Sequence, residues 1–226
     1  MTDFKPTANR SQDERLRRLG HWLSVVGVLA IAASLLIMRV DQQLSSAIRL
    51  GKIPGDLRKM IDLSEAFAHG SGVAAILVAL YLCSSRSRAA VWIAVMMTIT
   101  SGLAANGLKA VFTRARPYTF DAAAGSTDIA GLDIFGGGSF WNASIRSFPS
   151  GHTATAWGLA IGLSLLYPRG TAVFIVLGCL ATFQRLASGA HFPSDTLAGF
   201  GIACLACAAV LMVPRARQNL LRPDRS

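Results

Sequence analysis

Hydrophobic residues in this chain are gathered into long stretches that contain no charged side chain. Five of these stretches run for 19 to 22 residues, and a sixth runs for 15 residues. An α-helix needs about 20 mainly apolar residues to cross the hydrocarbon core of a bilayer, and about 17 suffice. We therefore predict an all-α fold, a polytopic membrane helical bundle with about six transmembrane helices. The stretches are Leu19–Met38, Ala66–Ser85, Ala89–Leu108, Ser147–Pro168, Gly170–Gln184 and Thr196–Pro214. The short stretch Gly170–Gln184 can span only if it recruits residues beyond Gln184.

The composition agrees with a membrane protein. Of 226 residues, 52% are hydrophobic and only 15% are charged, whereas an ordinary soluble domain carries about 25% charged residues. The net charge of +10 does not indicate nucleic-acid binding, because Lys and Arg lie between the apolar stretches and not on one soluble face. All four cysteines lie inside predicted spans, so we expect neither a disulfide framework nor a zinc site.

The distribution of Lys and Arg predicts the orientation in the membrane. With six spans and a cytoplasmic N-terminus, the inner side carries 12 basic and four acidic residues, and the outer side carries 10 and eight. This bias favours cytoplasmic N- and C-termini in a protein of the cell inner membrane. We predict a basic cytoplasmic tail at residues 1–18, a transmembrane domain at 19–214 and a second basic cytoplasmic tail at 215–226.

Ionisable residues at the outer ends of the spans form three clusters, and such residues are costly at a membrane boundary. In the first cluster Lys109 is followed seven residues later by Arg116 and then by Pro117. In a helix this spacing is nearly two turns, which would put both cations on one face, and Pro117 disfavours helix just before it. A guanidinium can bind two phosphate oxygens and an ammonium can bind a third. Snorkelling towards lipid headgroups is the alternative for this cluster alone.

The second cluster is Pro149-Ser150-Gly151-His152, just before a predicted span. Pro149 suits the first turn of a helix, so we expect the next three backbone N–H groups to face outward at the positive end of the helix dipole, where anions bind. His152 would then lie at the rim and could protonate a leaving oxygen. A simple capping turn with an interfacial histidine is the alternative.

The third cluster joins Arg185, His191 and Asp195, again just before a span. Pro193 is expected to start a helix and to put Asp195 in its first turn, where a carboxylate is stabilised. Asp195 could accept the Nδ1 proton of His191 and leave Nε2 unprotonated, as in a nucleophile with its orienting partner. An ordinary His–Asp capping interaction is the alternative for this cluster alone.

Taken jointly, the three clusters favour an anion site at one membrane face. Two histidines, one aspartate, three cations and a helix N-terminus would converge there. Nearby Arg and Lys would repel a metal cation, and the chain lacks the glycine spacings of nucleotide-binding loops.

In this order the motifs resemble the signature of the type 2 phosphatidic acid phosphatase, or lipid phosphate phosphatase, superfamily. That signature is Lys-x6-Arg-Pro, Pro-Ser-Gly-His and Ser-Arg-x5-His-x3-Asp. One position departs from it, because Gln184 stands where the family usually has Ser. The resemblance implies a helical bundle with its site at the extracytoplasmic surface, a phosphorylated membrane lipid as substrate, and no metal or other cofactor.

The resemblance also implies a role for each motif residue. His191 would be the nucleophile that forms a phosphohistidine, and Asp195 would orient it. His152 would protonate the leaving alkoxide and later help to activate water. The phosphoryl oxygens would be held by Lys109, Arg116, Ser150, Gly151 and Arg185.

We therefore predict an integral-membrane enzyme that hydrolyses a lipid phosphate or diphosphate. Two alternatives stay open: a phosphotransferase that uses a lipid or sugar hydroxyl in place of water, and a non-catalytic lipid-phosphate binder. The motifs do not choose among phosphatidate, phosphatidylglycerol phosphate, polyprenyl diphosphate and lipid A phosphates. We expect that choice to lie in the loops Arg39–Glu65 and Tyr118–Arg146, and the oligomeric state is not predicted.

Overall fold

The computed structural model describes residues 6–51, 53–119, 132–134 and 143–224, and nearly all of its elements are helices. The α-helices among these residues are α1 (Pro6–Ile37), α2 (Asp41–Leu50), α3 (Gly55–Leu63), α4 (Gly70–Cys83), α5 (Arg88–Leu108), α6 (Gly151–Leu166), α7 (Thr171–Ala187), α8 (Pro193–Met212) and α9 (Pro214–Leu220). Two-residue strands β1 (Phe112–Thr113) and β2 (Asp133–Ile134) pair in antiparallel fashion. Most of the loop Tyr118–Arg146 lies outside the described residues. The prediction of an all-α bundle is confirmed.

Four helical stretches of the described chain are long and apolar enough to cross a membrane. They are Arg10–Arg49, Arg88–Leu108, Pro168–Ala187 and Pro193–Met212. The third extends beyond Gln184, as its sequence predicted. Gly55–Phe67 and Gly70–Cys83 pass the same test only as a pair bent by 67°, which would make a fifth. Helix α6 has 16 residues, so the expected count of six is approximate.

The outer surface of the bundle carries large apolar side chains. Trp22 and Leu36 of α1 are 69% and 72% exposed, and Leu82 of α4 is 69% exposed. Val173 and Val176 of α7 extend this exposed apolar surface. Contiguous apolar surface of this kind is unfavourable in water and suits contact with lipid tails.

Two helix pairs make the most extensive contacts in the bundle. Helix α1 packs along α8, and α5 packs along α6. Small residues in the second pair allow close contact: a Cβ added at Gly158 or Gly162 of α6 would lie 2.6 Å from the Ser101 side chain or 3.0 Å from Ala94 of α5. Packing of small residues is typical of helix association within membranes. This frame holds the N-terminal ends of α6 and α8 next to each other.

The segment between α1 and α4 folds back over the bundle instead of forming an open loop. Helix α2 packs against α7 and α8, and α3 packs against α7. Asp41 and Ser45 of α2 and Ile61 of α3 are buried. His69, in extended conformation, then breaks the helical path before α4. The sequence predicted one continuous span from Ala66, and the structure corrects that expectation.

Both terminal segments pack against each other. Helix α1 already begins at Pro6, and α9 buries Ala216 and Leu220. The Arg217 Nε of α9 lies 2.7 Å from the Asp13 Oδ1 of α1. Asp13 is 24 residues before the end of α1, which corresponds to about 36 Å of helix at 1.5 Å per residue.

Candidate active site

The first motif leaves the end of α5 and runs beside the segment that precedes α6. Lys109 is the C-terminal capping residue of α5, and strand β1 separates it from Arg116. The two cations therefore do not share a helix face, contrary to the sequence-based expectation. The Arg114 N–H donates to the Ile145 carbonyl (2.8 Å) and the Arg116 N–H donates to that of Ser144 (3.0 Å). These bonds bring the first motif next to the second.

The second motif begins α6, with one correction to the expected cap. Pro149 lies before the helix and not in its first turn: α6 begins at Gly151, and Ser150 is the N-terminal capping residue, whose hydroxyl accepts from the Thr153 N–H at 3.3 Å. The Ser150 N–H donates to the Asp195 carbonyl at 3.0 Å, so it is already used within the protein. The N–H groups of Gly151 and His152 remain in the first turn of α6, where helix N–H groups lack intrahelical partners.

The turn between α7 and α8 explains the spacing of the third motif. Gly189 has a φ of +68°, a conformation that glycine adopts without strain. Its N–H donates to the Leu186 carbonyl at 3.0 Å, and the Ala190 N–H donates to that of Arg185 at 3.1 Å. This pattern is a Schellman motif, which ends α7 and satisfies its last carbonyls. Arg185 therefore lies in the last turn of α7, and His191 follows directly after the turn.

Helix α8 begins immediately afterwards, as predicted. Pro193 is in its first turn, and the Asp195 Oδ2 accepts from the Phe192 N–H at 2.8 Å. Gly199, one turn further on, lies against the start of α6. A Cβ at this position would be 2.5 Å from the Ser150 carbonyl oxygen, so a hydrogen atom here lets α6 and α8 approach. The second and third motifs meet at this contact.

His191 and Asp195 form the buried centre of the site. They are 2% and 0% exposed. The His191 Nδ1 faces the Asp195 Oδ2 at 3.6 Å, longer than a hydrogen bond, and among the described residues it has no hydrogen-bond partner. Catalytic hydrogen bonds are often long in the absence of substrate. The orientation nevertheless directs Nδ1 to the carboxylate and leaves Nε2 for another group.

Several cations surround this pair. His191 lies within electrostatic range of Lys109 and Arg116, and His152 lies within range of Lys109, His191 and Arg185. Burial, together with the charge of Arg116, lowers the pKa of Lys109 to about 8. Burial also lowers the pKa of His191, although the Asp195 carboxylate opposes the shift. A neutral imidazole beside an excess of positive charge is suited to attack an anionic group.

Arg185 has a carboxylate partner from the segment before α4. Its Nη2 lies 2.6 Å from the Glu65 Oε1, and the Glu65 side chain is 39% exposed. Gln184, at the position of the usual Ser, is buried, and its Oε1 accepts from the Arg185 Nε at 2.5 Å. The His69 ring lies 6.0 Å from the ring of His152. Residues from the Arg39–Glu65 loop and just beyond it therefore reach the site.

Apolar cavities lie alongside α8 below the site. One has a volume of about 330 Å³, and a second, which borders α1, α6 and α7, has a volume of about 350 Å³. The first is lined by Trp157, Thr182, Pro193, Thr196, Leu197 and Phe200. The second shares Trp157 and Phe200, whose rings pack edge to face at 4.7 Å. Apolar surface thus continues from the first turn of α8 to residues of α1, α6 and α7.

Sequence reasoning missed three buried polar residues of the site. Arg114 and Asp41 are each 1% exposed, and Ser147 is 0% exposed. The Arg114 Nη1 lies 2.5 Å from the Asp195 Oδ1, and the Ser147 hydroxyl donates to the Asp195 Oδ2. Asp41 lies just beyond the first charge-free stretch. The rule that flagged Lys109, that charges at membrane boundaries need a reason, would also have flagged Asp41.

The structure therefore brings all eight predicted residues, His191, His152, Asp195, Lys109, Arg116, Ser150, Gly151 and Arg185, to the same end of the bundle. Within the described residues, no three His, Cys, Asp or Glu side chains gather as they would around a metal ion. Three cations, a helix N-terminus and a buried histidine can bind a tetrahedral oxyanion and attack its central atom.

A family model supports this interpretation of the site. The model of the PAP2 superfamily matches residues 89–219 of this chain, which include all three motifs. The matched region is more than half of the chain and runs from the start of α5 to α9.

Two individual relatives match most of this chain. The chain is 28% identical over 194 residues to a Lipid A 1-phosphatase of Rhizobium etli, covering 79% of this chain and 78% of that protein. It is also 28% identical over 211 residues to a Lipid A 1-phosphatase of Rhizobium johnstonii, covering 84% and 82%.

Two crystal structures share the fold. The Aquifex aeolicus LpxE structure has a TM-score of 0.58 and 20% identity, and the match covers 76% of this chain and 94% of that one. The transmembrane PAP2 type phosphatidylglycerolphosphate phosphatase of Bacillus subtilis also has a TM-score of 0.58, with 19% identity and coverage of 85% and 94%. At these identities the similarity concerns the fold alone.

Proposed function

Because this chain belongs to the PAP2 superfamily, we propose that it is a membrane phosphatase that cleaves a lipid phosphate through a phosphohistidine on His191. The observation that carries the proposal is the environment of one buried, neutral histidine, His191. Its Nδ1 faces the Asp195 carboxylate at 3.6 Å, and Lys109 and Arg116 lie within electrostatic range. Such a site combines a nucleophile with charge that stabilises a phosphoryl group in transfer.

In the first step the His191 Nε2 attacks phosphorus in line with the bond to the lipid oxygen. A P–N bond forms as the P–O bond breaks, and the leaving alkoxide takes a proton from His152. Asp195 stabilises the charge that develops on the imidazole through its Nδ1–H. Lys109, Arg116, Arg185, the Ser150 hydroxyl and the Gly151 N–H hold the three equatorial oxygens.

In the second step water replaces the histidine on phosphorus. His152, now without its proton, accepts one from the attacking water, and the P–N bond breaks to release inorganic phosphate. The sum is hydrolysis of a phosphate ester to an alcohol and inorganic phosphate. Positioning and electrostatic stabilisation supply most of the catalysis in phosphoryl transfer.

Apolar features around the site support a lipid as the alcohol. Exposed apolar side chains cover the outside of α1, α4 and α7, and the cavity beside Pro193 and Thr196 could receive hydrocarbon. Both Rhizobium relatives carry the name Lipid A 1-phosphatase. We therefore take lipid A with a 1-phosphate as the first substrate to test.

The proposal includes an extracytoplasmic site in the inner membrane and cytoplasmic termini. Lys and Arg are in excess on the predicted inner side. The contact between Asp13 and Arg217 joins the two termini about 36 Å along α1 from the end that leads to Asp41. That length is enough to separate the termini from the site by a bilayer.

The test is phosphate release by detergent-purified protein in the presence of EDTA. Lipid A 1-phosphate, phosphatidate, phosphatidylglycerol phosphate and a polyprenyl diphosphate are compared, with His191→Ala as the control. We expect release that survives EDTA, vanishes in the variant and is fastest with lipid A 1-phosphate.

The other outcomes separate the alternatives. Transfer of labelled phosphate to an added lipid or sugar alcohol, without free phosphate, would identify a phosphotransferase. Binding of all four lipids without any turnover would identify a non-catalytic binder. Preference for another lipid would overturn the assignment of lipid A 1-phosphate as substrate, but it would leave the assignment as a phosphatase intact.

A further inference from the structure

Arg114 is a fully buried cation with two carboxylate partners. Its Nη1 lies 2.5 Å from the Asp195 Oδ1, and its Nη2 lies 2.7 Å from the Asp41 Oδ2. All three side chains are at most 1% exposed. Ion pairs so completely removed from water need accurate geometry and additional hydrogen bonds to be tolerated.

Asp41 supplies those additional hydrogen bonds at the start of α8. Its Oδ1 accepts from the Ser194 N–H at 3.0 Å, one of the N–H groups that a helix start leaves without an intrahelical partner. Its Oδ2 accepts from the Ser194 hydroxyl, which itself accepts from the Arg114 Nη1 at 2.7 Å. Asp41, the first residue of α2, therefore caps the helix turn that carries Asp195.

We propose that Asp41 is a positioning residue for the phosphatase reaction, because it holds Arg114 so that Asp195 stays directed at His191. This inference rests on the proposed function. Asp41 touches neither substrate nor His191, and it acts through Arg114 and Ser194.

The arrangement around Asp195 explains why a second carboxylate is required. Arg114 occupies the Oδ1 of Asp195, whereas Oδ2 accepts from Ser147 and from the Phe192 N–H and faces His191. A guanidinium without another partner tends to bind both oxygens of one carboxylate. By binding one guanidinium nitrogen, Asp41 prevents that fork and leaves Oδ2 for the imidazole.

Asp41→Asn tests this role with almost no change in shape. Both carboxylate oxygens of Asp41 only accept hydrogen bonds, from Ser194 on one side and from Arg114 on the other. An amide offers one acceptor and one donor, so it must face one of these donors with its own N–H. We expect kcat for lipid phosphate hydrolysis to fall about 10- to 100-fold, as is typical when a supporting partner is lost.

The binding readouts separate positioning from general damage. The phosphate-binding side chains are untouched, so KM and the inhibition constant of inorganic phosphate should stay within about twofold of the wild type. The matched control is Asp56→Asn, because the Asp56 side chain is fully exposed on α3 and its loss should leave kcat unchanged. Ser194→Ala removes the bridging hydroxyl without changing charge, and should lower kcat with KM preserved.

The outcomes decide the inference in each case. The positioning role would be overturned if kcat of Asp41→Asn equalled that of Asp56→Asn. It would also be overturned if the fall in kcat came with an equally large weakening of substrate binding (a higher KM) and of phosphate inhibition. If Asp41→Asn does not fold, Ser194→Ala decides: a wild-type kcat there overturns the role. If the wild type releases no phosphate, the proposed function and this inference are both wrong. If the wild type is active and Asp41→Asn is equally active, this inference alone is wrong.

Discussion

Arg114 and Arg116 are two residues apart in the chain and have opposite surroundings. Arg114 is 1% exposed and binds the carboxylates of Asp41 and Asp195. Arg116 is only partly buried, and it lies within electrostatic range of Lys109 and His191. The first belongs to a buried cluster with more negative than positive charge, and the second belongs to a cationic rim.

The difference separates two tasks within one site. The buried cluster satisfies its charges inside the protein, so it can fix the geometry of Asp195 but cannot bind an outside anion. The cationic rim is formed by Lys109, Arg116 and Arg185, and the Glu65 carboxylate that pairs with Arg185 is partly exposed. A bound phosphate can neutralise part of the positive charge of this rim.

His191 lies between the two groups, and its loss should have the largest effect. We expect His191→Ala to reduce phosphate release by at least about 10³-fold, because the phosphorus loses its nucleophile. Binding of substrate should persist, since the rim is intact. The measurement is initial phosphate release, together with trapping of a phosphoenzyme by alkaline denaturing quench of the wild type, because a P–N bond is labile in acid.

His21→Ala is the matched control, because His21 is an exposed histidine of α1 far from the site along the helix. Labelled phosphoenzyme formed by His191→Ala in amounts equal to the wild type would exclude His191 as the nucleophile.

Replacing each arginine by methionine should separate stability from catalysis. Arg114→Met leaves two buried carboxylates without their cation, and we expect the free energy of unfolding to fall by about 3–5 kcal/mol. Arg116→Met should lower stability by less than about 1 kcal/mol and lower kcat/KM by about 10²- to 10³-fold, as loss of one oxyanion ligand does.

Thermal unfolding in detergent and steady-state kinetics measure the two effects on the same preparations. Equal losses of stability in the two variants would remove the distinction between the cluster and the rim.

The pH dependence of kcat/KM should identify Lys109 as a member of the cationic rim. Burial and Arg116 lower the pKa of Lys109 from 10.5 to about 8, so the ammonium loses its proton as pH rises through that value. Phosphate binding then weakens, and we expect kcat/KM to fall about tenfold between the plateaus on either side of pH 8. Lys109→Arg stays protonated and should move this decline to higher pH. A decline near pH 8 that is unchanged in Lys109→Arg would assign it to another group.

The smallest effect is expected at Glu65. Its carboxylate lies 2.6 Å from the Arg185 Nη2 but is 39% exposed, and partly exposed ion pairs contribute little because water screens them. Glu65→Gln should lower KM about threefold, since phosphate no longer competes for Arg185. Asp62→Asn, an exposed carboxylate of α3, is the control. A rise in KM would mean that Glu65 holds Arg185 in place for substrate.

Features that depend on local sequence could be predicted. Charge-free length predicts the helices α5, α7 and α8 to within a few residues, and Pro193 predicts the start of α8. It also predicts the end of α1, although that helix begins at Pro6, well before the apolar stretch. The separation of Arg185 from His191 follows from the helix end, the Schellman turn at Gly189 and the next helix start. In these cases residues that are neighbours in the sequence determine the backbone conformation.

Features that depend on distant partners could not be predicted. The sequence predicts Pro149 in the first turn of α6, but the helix begins at Gly151, and the Ser150 N–H donates to the carbonyl of Asp195 on another helix. The partners of Arg114 are 73 residues before it and 81 residues after it. A pattern within one segment carries no signal of such pairs, and only the rule on charges at membrane boundaries points to Asp41.

The chain positions of these partners affect biosynthesis. By the time α5 and β1 have left the ribosome, Asp41 and Arg114 are both present, but His191 and Asp195 belong to the last quarter of the chain. A nascent chain can therefore form the first ion pair early, with a single carboxylate neutralising the guanidinium. If His191 and Asp195 act as proposed, hydrolysis requires insertion of α8, the last long helix among the described residues, and an incomplete translation product could not act on the lipids around it.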